Sequence, residues 1–147
     1  MGTFCITRIV DRPRETVYAL AADVEGYADF IPGFADAQVR PVGKNRLEVV
    51  QRVRFKGLSA RFRSTAELAP PERIVIRSHD RPFKDLHQEW RLEDLGEGRT
   101  KITFSGHYAL GSARLERWFG RWFDHLVERT VDAFEQRLLQ GTAPREA

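Results

Sequence analysis

The sequence predicts an α+β fold in which a curved antiparallel sheet wraps around one long C-terminal helix. Between Ala35 and Ala109 apolar and polar residues alternate with a period of two, the pattern of strands that have one face in water. Between residues 112 and 140 apolar residues instead recur at helical spacing and cover an arc of roughly 220°. Because a flat surface cannot cover so wide an arc, we expect the sheet to enclose this helix.

The chain ahead of the sheet predicts one strand and two short helices. Residues 4–10 (FCITRIV) are apolar and β-branched, as in a strand. Asp11 followed by Pro13 indicates a helix start, and apolar residues follow at helical spacing. A second short helix, over about Glu25–Phe30, should end before Pro32, which opposes its continuation.

The alternating region predicts about six antiparallel strands. Lys56-Gly57 separates two alternating runs and has the length of a two-residue hairpin turn. The register of this hairpin pairs three sets of residues: Gln51 with Phe62, Val49 with Ser64, and Arg52 with Arg61. Later strands are predicted over Arg73–His79, Leu86–Leu95 and Thr100–Ala109.

The composition is typical of one globular domain. The chain has 147 residues, of which 31% are charged and 41% hydrophobic, and a net charge of +3. It holds no run of eighteen apolar residues, and its first residues lack the pattern of a secretory signal. Cys5 is the single cysteine, which fits a reducing compartment. We expect one domain over residues 1–140, a flexible tail over 141–147, and a cytoplasmic location, with peripheral contact at the inner membrane surface as an alternative.

Two segments, VYALAADVEGYADFIPGF (17–34) and RPFKDLHQEWRL (81–92), resemble the START-like helix-grip family. The similarity is to its coenzyme-Q-binding subgroup, also described as polyketide cyclase/dehydrase or lipid-transport proteins. The sequence departs from the pattern at Gly33-Phe34, where the subgroup has Trp-Cys, and at Arg81, where it has glycine. The matching positions are Asp23, Val24, Tyr27, Phe30 and Pro32 in the first segment, and Pro82, Phe83, Lys84, Leu86 and Trp90 in the second.

The resemblance implies an internal cavity that binds a hydrophobic small molecule. The ligand it implies is a polyprenyl quinone such as ubiquinone, or a related lipid, in support of respiratory quinone function. It implies no required cofactor and no settled catalysis. Bacterial relatives are described as ribosome-association toxins, so a ribosomal partner is an implied alternative, and the wider family makes a polyketide cyclase or aromatase a third. No DNA partner is expected.

Space between a curved sheet and an enclosed helix is the expected place for a ligand. Gln51 and Ser64 are polar residues on otherwise apolar strand faces. Because a buried polar group without a hydrogen bond costs about 1–3 kcal/mol, they form either a satisfied core pair or groups that orient a ligand. The predicted cavity residues are Tyr27, Phe30, Pro32, Phe34, Gln51, Phe62, Ser64, Phe83, Trp90, Phe104, Tyr108, Trp118 and Trp122. The last two, flanked by arginines, fit core packing, contact with a membrane interface, or a helix start that lifts as a lid over the cavity.

The stretch HDRPFKDLHQEW (79–90) is rich in groups that bind metals or act as acids and bases. Zinc needs three or four ligands that converge within about 2.0–2.3 Å of one ion. Alternation places His79 and His87 on the solvent side, and Lys84 adds positive charge nearby. We therefore predict a turn between strands, with Asp80 capping the bend, and neither a metal site nor a catalytic residue.

The hairpin register also gathers four arginines on the outer face of the sheet: Arg52, Arg54, Arg61 and Arg63. Like charges that oppose each other destabilise a sheet. These arginines are therefore either a solvated surface whose side chains spread apart, or a cationic patch for the phosphates of lipid or RNA. A net charge of only +3 argues against a dedicated nucleic-acid binder.

Overall fold

The computed structural model describes residues 2–31, 33–55, 58–80 and 83–140, except for the side chains at positions 55, 58, 60, 118, 119, 121 and 122. Its elements in chain order are strand β1 (Gly2–Val10), helix α1 (Arg14–Ala22), a 3-10 helix (Val24–Asp29), strands β2 (Phe34–Gly43), β3 (Arg46–Phe55), β4 (Leu58–Ala69), β5 (Arg73–Ser78), β6 (Phe83–Gly96) and β7 (Arg99–Leu110), and helix α2 (Ala113–Leu139).

The strands form one antiparallel sheet in the order β1-β7-β6-β5-β4-β3-β2. Six strands follow the short helices, as predicted, and β1 joins the sheet beside the last of them. The register shifts near Asp36 and Asp85, and such irregularities add bend and twist to the strands that carry them. The sheet is therefore curved around α2, and the predicted α+β helix-grip fold is confirmed.

The predicted register of the β3–β4 hairpin is also confirmed. The observed partners are Gln51 and Phe62, Val49 and Ser64, and Arg52 and Arg61. The turn at Lys56-Gly57 lies outside the described residues, as does the tail at 141–147. Strict alternation made this register predictable, because a shift by one residue would turn every apolar side chain toward water.

Helix α2 packs its apolar side against the inner face of the sheet. Ser112 caps its start by accepting a hydrogen bond from the backbone N–H of Leu115 at 3.2 Å. The buried side chains recur at helical spacing, at Phe123, Val127, Val131, Phe134 and Leu138.

Three local predictions are corrected by the structure. The second short helix is a 3-10 helix over Val24–Asp29. Pro13, and not Asp11, stands at the start of α1, and no side chain caps it. Strand β6 begins at Phe83 and so includes residues predicted to form a turn.

The Asp80 side chain bonds to a neighbouring strand. Its carboxylate accepts a hydrogen bond from the backbone N–H of Arg63 at 2.8 Å, and the Ser78 hydroxyl donates to the Arg63 carbonyl at 2.6 Å. The β4–β5 ladder ends where Thr65 pairs with Arg77. Beyond that point these two side chains provide the partners that the backbone of Arg63 would otherwise lack.

Candidate ligand-binding cavity

A cavity lies between the inner face of the sheet, the 3-10 helix and α2. Eight of the predicted residues line it, namely Tyr27, Phe34, Gln51, Phe62, Ser64, Phe83, Trp90 and Phe104. Leu86, which the sequence also places toward the cavity, lines it as well. The prediction missed ten further described residues, namely Val24, Val49, Val53, Ala66, Ile76, Gln88, Phe123, Leu126, Val127 and Thr130. Most of these are aliphatic, and an aliphatic residue on an inner face has the same pattern whether it fills a core or borders a space.

Two predicted residues lie away from the cavity lining. Phe30 packs edge-on against Tyr27 with ring centroids 6.1 Å apart, and the Arg137 guanidinium lies 5.5 Å from its centroid. Tyr108 is buried beneath α2, with its ring 4.3 Å from that of Phe123. Pro32 and the side chains of Trp118 and Trp122 lie outside the described part of the chain.

The cavity is small in this structure, with a volume of about 70 Å³. A buried water needs about 10–15 Å³ by this measure, so the space can hold a few waters. Sites for drug-sized ligands typically measure about 300–1,000 Å³. A polyprenyl chain therefore cannot enter unless the wall moves outward.

Aromatic rings form much of the wall. Trp90 stacks on Phe104 with centroids 4.3 Å apart, and Phe62 meets Phe83 edge-on at 5.1 Å. Phe83 in turn lies 5.7 Å from Phe123 of α2, so aromatic contacts link the sheet to the helix. Such rings offer flat apolar faces to a planar ligand.

One polar atom on the wall lacks a partner. The Ser64 side-chain oxygen is fully buried and has no hydrogen bond within the described residues. Thr130 differs, because its hydroxyl donates to the Leu126 carbonyl at 2.7 Å. Gln51 and Gln88 add half-buried amides to the same wall. The wall can therefore donate hydrogen bonds to an oxygen atom of a bound molecule.

No charged side chain, histidine or cysteine is found among the described residues that line the cavity. Tyr108, a predicted cavity residue whose hydroxyl could in principle transfer a proton, has a pKa raised to about 12 by burial and by the nearby Asp124 carboxylate. Its hydroxyl lies 3.3 Å from that carboxylate. It therefore stays protonated near neutral pH and is a poor general base.

The histidines of the stretch at 79–90 lie on the outer face, together with His107. Asp85 connects two of them, at 3.7 Å from His79 and 3.0 Å from His107. The His87 ring stacks on that of His107 at 5.3 Å. Within residues 2–31, 33–55, 58–80 and 83–140, no three acidic, histidine or cysteine side chains are placed to hold a metal ion.

Residues 10–135 match the family model described as "Polyketide cyclase / dehydrase and lipid transport". The chain belongs to this family. The match covers most of the chain, including the cavity-lining strands and all but the last four residues of α2. This match confirms the family resemblance that was predicted from the segments at 17–34 and 81–92.

Known proteins give the family match more detail. The chain is 28% identical over 131 residues to the ribosome association toxin RatA of Escherichia coli, covering 89% of this chain and 83% of that protein. A START superfamily protein from Mycobacterium smegmatis superposes with a TM-score of 0.81 at 18% identity, covering 95% of this chain and 99% of that one. The Zhui aromatase/cyclase of a Streptomyces species gives a TM-score of 0.74 at 22% identity, covering 95% and 92%. These structural similarities establish the START-like fold.

None of the described helices is both long and apolar enough to span a membrane.

Proposed function

We propose that the cavity binds an uncharged, largely apolar molecule that carries a hydrogen-bond-accepting oxygen. The observation that supports this most directly is the partnerless Ser64 hydroxyl on an aromatic wall that lacks charge within its described residues. A ligand carbonyl or hydroxyl would accept its hydrogen bond and remove the cost of burying it alone. Without a charged group on that wall, an ionised ligand head would lose its hydration uncompensated.

More specifically, we propose that the bound molecule is a quinone. Its ring is planar and would lie against rings such as Trp90 and Phe62, and its carbonyl oxygens would accept from Ser64 or Gln51. The family description includes lipid transport, which fits delivery or shielding of such a molecule. Since the cavity holds about 70 Å³ as it stands, a polyprenyl tail requires outward movement of α2 or of aromatic side chains.

Cyclase or aromatase activity is the weaker alternative. The Zhui protein is titled an aromatase/cyclase, and this chain shares its fold at 22% identity. Such chemistry needs an acid or base that can reach the substrate. Since Tyr108 is covered by α2 and the described histidines lie elsewhere, we propose binding without catalysis and without a required cofactor.

The Ser64 hydroxyl gives a direct test through a matched pair of serines. Ser64→Ala should raise the unfolding free energy of the ligand-free protein by about 1–3 kcal/mol, because it removes a buried group without a partner. Ser78→Ala is the control, because that equally buried hydroxyl donates to the Arg63 carbonyl, and its loss should destabilise by about as much. Urea denaturation measures both.

Although Ser64→Ala should stabilise the ligand-free protein, it should weaken ligand binding. Titration with a short-chain ubiquinone analogue, followed by tryptophan fluorescence, should show about 2- to 10-fold weaker binding for Ser64→Ala and little change for Ser78→Ala. If Ser64→Ala destabilises as Ser78→Ala does, the Ser64 hydroxyl already has a protein partner and our assignment is wrong.

Association with the ribosome is a second candidate function. Its support is the similarity to RatA, which is named a ribosome association toxin and matches 89% of this chain. A cytoplasmic location agrees with this candidate. Peripheral contact with the inner membrane, where a quinone would be exchanged, belongs to the ligand-binding proposal.

A further inference from the structure

Four arginines form a cluster on the outer face of the β3–β4 hairpin, on the opposite side of the sheet from the cavity. This arginine surface consists of Arg52, Arg54, Arg61 and Arg63. All four residues are exposed, and Arg52 stands directly opposite Arg61 across the ladder. Neighbouring strands lie about 4.8 Å apart and alternate residues of one strand about 7 Å apart. Because Arg63 lies opposite Val50 and Arg54 lies opposite Ser59, the four side chains start from a patch about 5 Å wide and about 14 Å long.

The charges of this surface are only partly compensated. Within the described residues it forms one ion pair, between Arg52 and Asp36 at 3.7 Å, and the Asp80 carboxylate lies 2.8 Å from the backbone nitrogen of Arg63. Arg54, Arg61 and Arg63 form no ion pair with any described residue. Like charges opposed on a sheet repel each other, so the arrangement is unfavourable in the isolated protein.

Elsewhere on the same face, three arginines have partners. Arg40 pairs with Glu48 at 2.9 Å, Arg77 with Glu67 at 2.9 Å, and Arg91 with Glu89 at 2.7 Å. Arg46 and Arg73 form no ion pair with a described residue, but they lie apart, whereas three such arginines lie together near the hairpin end. The net charge of +3 sums over the whole chain and so does not reveal this local excess of positive charge.

We propose that the arginine surface binds the phosphates of single-stranded RNA. A guanidinium group presents a planar set of donors that matches phosphate oxygens two at a time. A flexible single strand can place successive phosphates over side chains a few ångströms apart, and arginine planes also stack on exposed bases. An adjoining open groove on the same face continues past Arg63 to Arg46 and Arg77, and its lining also includes the carboxylates of Glu67 and Asp80.

The surroundings favour RNA over a membrane surface. Peripheral membrane binding combines basic residues with apolar side chains that enter the lipid. The exposed large hydrophobic residues of the described chain lie on other segments, at Ile9, Val42, Leu95, Leu115 and Leu139. The described part of the hairpin end therefore has exposed basic side chains but no large exposed apolar side chain that could enter a lipid bilayer.

The test compares two double variants with the same change in net charge. Arg52→Glu/Arg61→Glu reverses an opposed pair within the arginine surface, and Arg73→Glu/Arg91→Glu reverses an opposed pair on β5 and β6 of the same face. The probe is a fluorescently labelled single-stranded RNA oligonucleotide, and anisotropy is measured over a series of salt concentrations. Circular dichroism and urea denaturation verify folding, and Arg52→Gln/Arg61→Gln serves as a milder second variant.

We expect the hairpin variant to bind RNA at least about 10-fold more weakly, with a salt slope smaller by about 1.4 for two lost phosphate contacts. The control should change affinity less than about 3-fold. Equal losses in both variants would show that net charge alone matters and would overturn the proposal. Binding of the wild type to anionic vesicles but not to RNA would overturn it in favour of a membrane.

The inference rests on the hairpin charges and is independent of the cavity proposal, although it would give the ribosomal candidate its contact surface. Sedimentation with ribosomal subunits distinguishes the RNA-binding proposal from the ribosomal candidate function. If both double variants sediment with ribosomes as the wild type does, the ribosomal function stands and the arginine surface does not mediate it. If RNA binding depends on Arg52 and Arg61 while the wild type fails to sediment, the surface stands and the ribosomal candidate fails.

Discussion

Trp90→Ala should lower the free energy of unfolding by about 3–5 kcal/mol, the range for loss of a fully buried large aromatic side chain. Trp90 is 2% exposed and joins the two layers of the fold. Its ring lies 4.3 Å from Phe104 on the neighbouring strand and 4.8 Å from Phe134 on α2. Alanine would leave a space that these neighbours cannot fill. Urea denaturation with tyrosine or circular-dichroism detection measures the change.

Trp90→Phe is the matched control, because it keeps an aromatic ring between sheet and helix and should cost clearly less. The larger space in Trp90→Ala adjoins the cavity, so a small apolar ligand should restore part of the lost stability in proportion to its concentration. A loss below about 1 kcal/mol for Trp90→Ala would mean that the sheet and α2 are not packed through this ring.

Gly106→Ala should destabilise the protein by a similar amount, because it adds an atom where there is no space rather than removing atoms. Gly106 lies within β7 between Phe4 of β1 and Gln88 of β6. A β-carbon there would stand 2.1 Å from the backbone carbonyl oxygen of His87 and 2.9 Å from the Phe4 ring. Because backbone on a paired strand cannot move aside cheaply, we expect a loss of about 3 kcal/mol or more, or failure to fold.

The control is Gly111→Ala, which lies five residues after Gly106 and directly after the last residue of β7, Leu110. A β-carbon at Gly111 would meet no atom within 4 Å, so this variant should unfold within about 0.5 kcal/mol of the wild type. Thermal and urea denaturation of both variants provide the comparison. If both behave like the wild type, β1 and β6 do not approach β7 as closely as described.

The sequence was most informative where one periodicity acted over many residues. Alternation fixed the hairpin register, and helical spacing placed Phe123, Val131 and Phe134 on the buried side of α2. Both patterns follow from a local rule, the need to bury one face of each element. The family segments at 17–34 and 81–92 then agreed with the order of helices and strands along the chain that the periodicity predicted.

The cavity was harder to predict because it depends on contacts distant in sequence. Phe104 and Tyr108 share the inner face of β7, and alternation cannot distinguish them. Only the position of α2 does so, because Phe123 covers the Tyr108 ring while Phe104 remains on the cavity wall. The volume is less predictable still, since it is a small difference between the enclosed space and the side chains that fill it.

The Asp80 contact was also hard to predict, because its partner is distant in sequence. A turn aspartate usually bonds to its own backbone nearby, which is what the sequence suggested. In the structure its carboxylate bonds to Arg63, seventeen positions earlier in the chain. That contact exists because β4 and β5 stop pairing at Thr65 and Arg77, a boundary that no local pattern marks.

The central claim, that the cavity holds an uncharged apolar molecule, is tested most directly by what the purified protein carries. Protein from cells of its own organism would be extracted with organic solvent and analysed by mass spectrometry, beside an Ala66→Leu variant. Ala66 is 1% exposed and lines the cavity, so a leucine side chain would occupy the space of about 70 Å³. We predict that the wild type releases an uncharged compound bearing a carbonyl or hydroxyl oxygen, close to one per chain, and that the folded variant releases almost none. Equal amounts from both proteins, or nothing from the wild type, would contradict the claim.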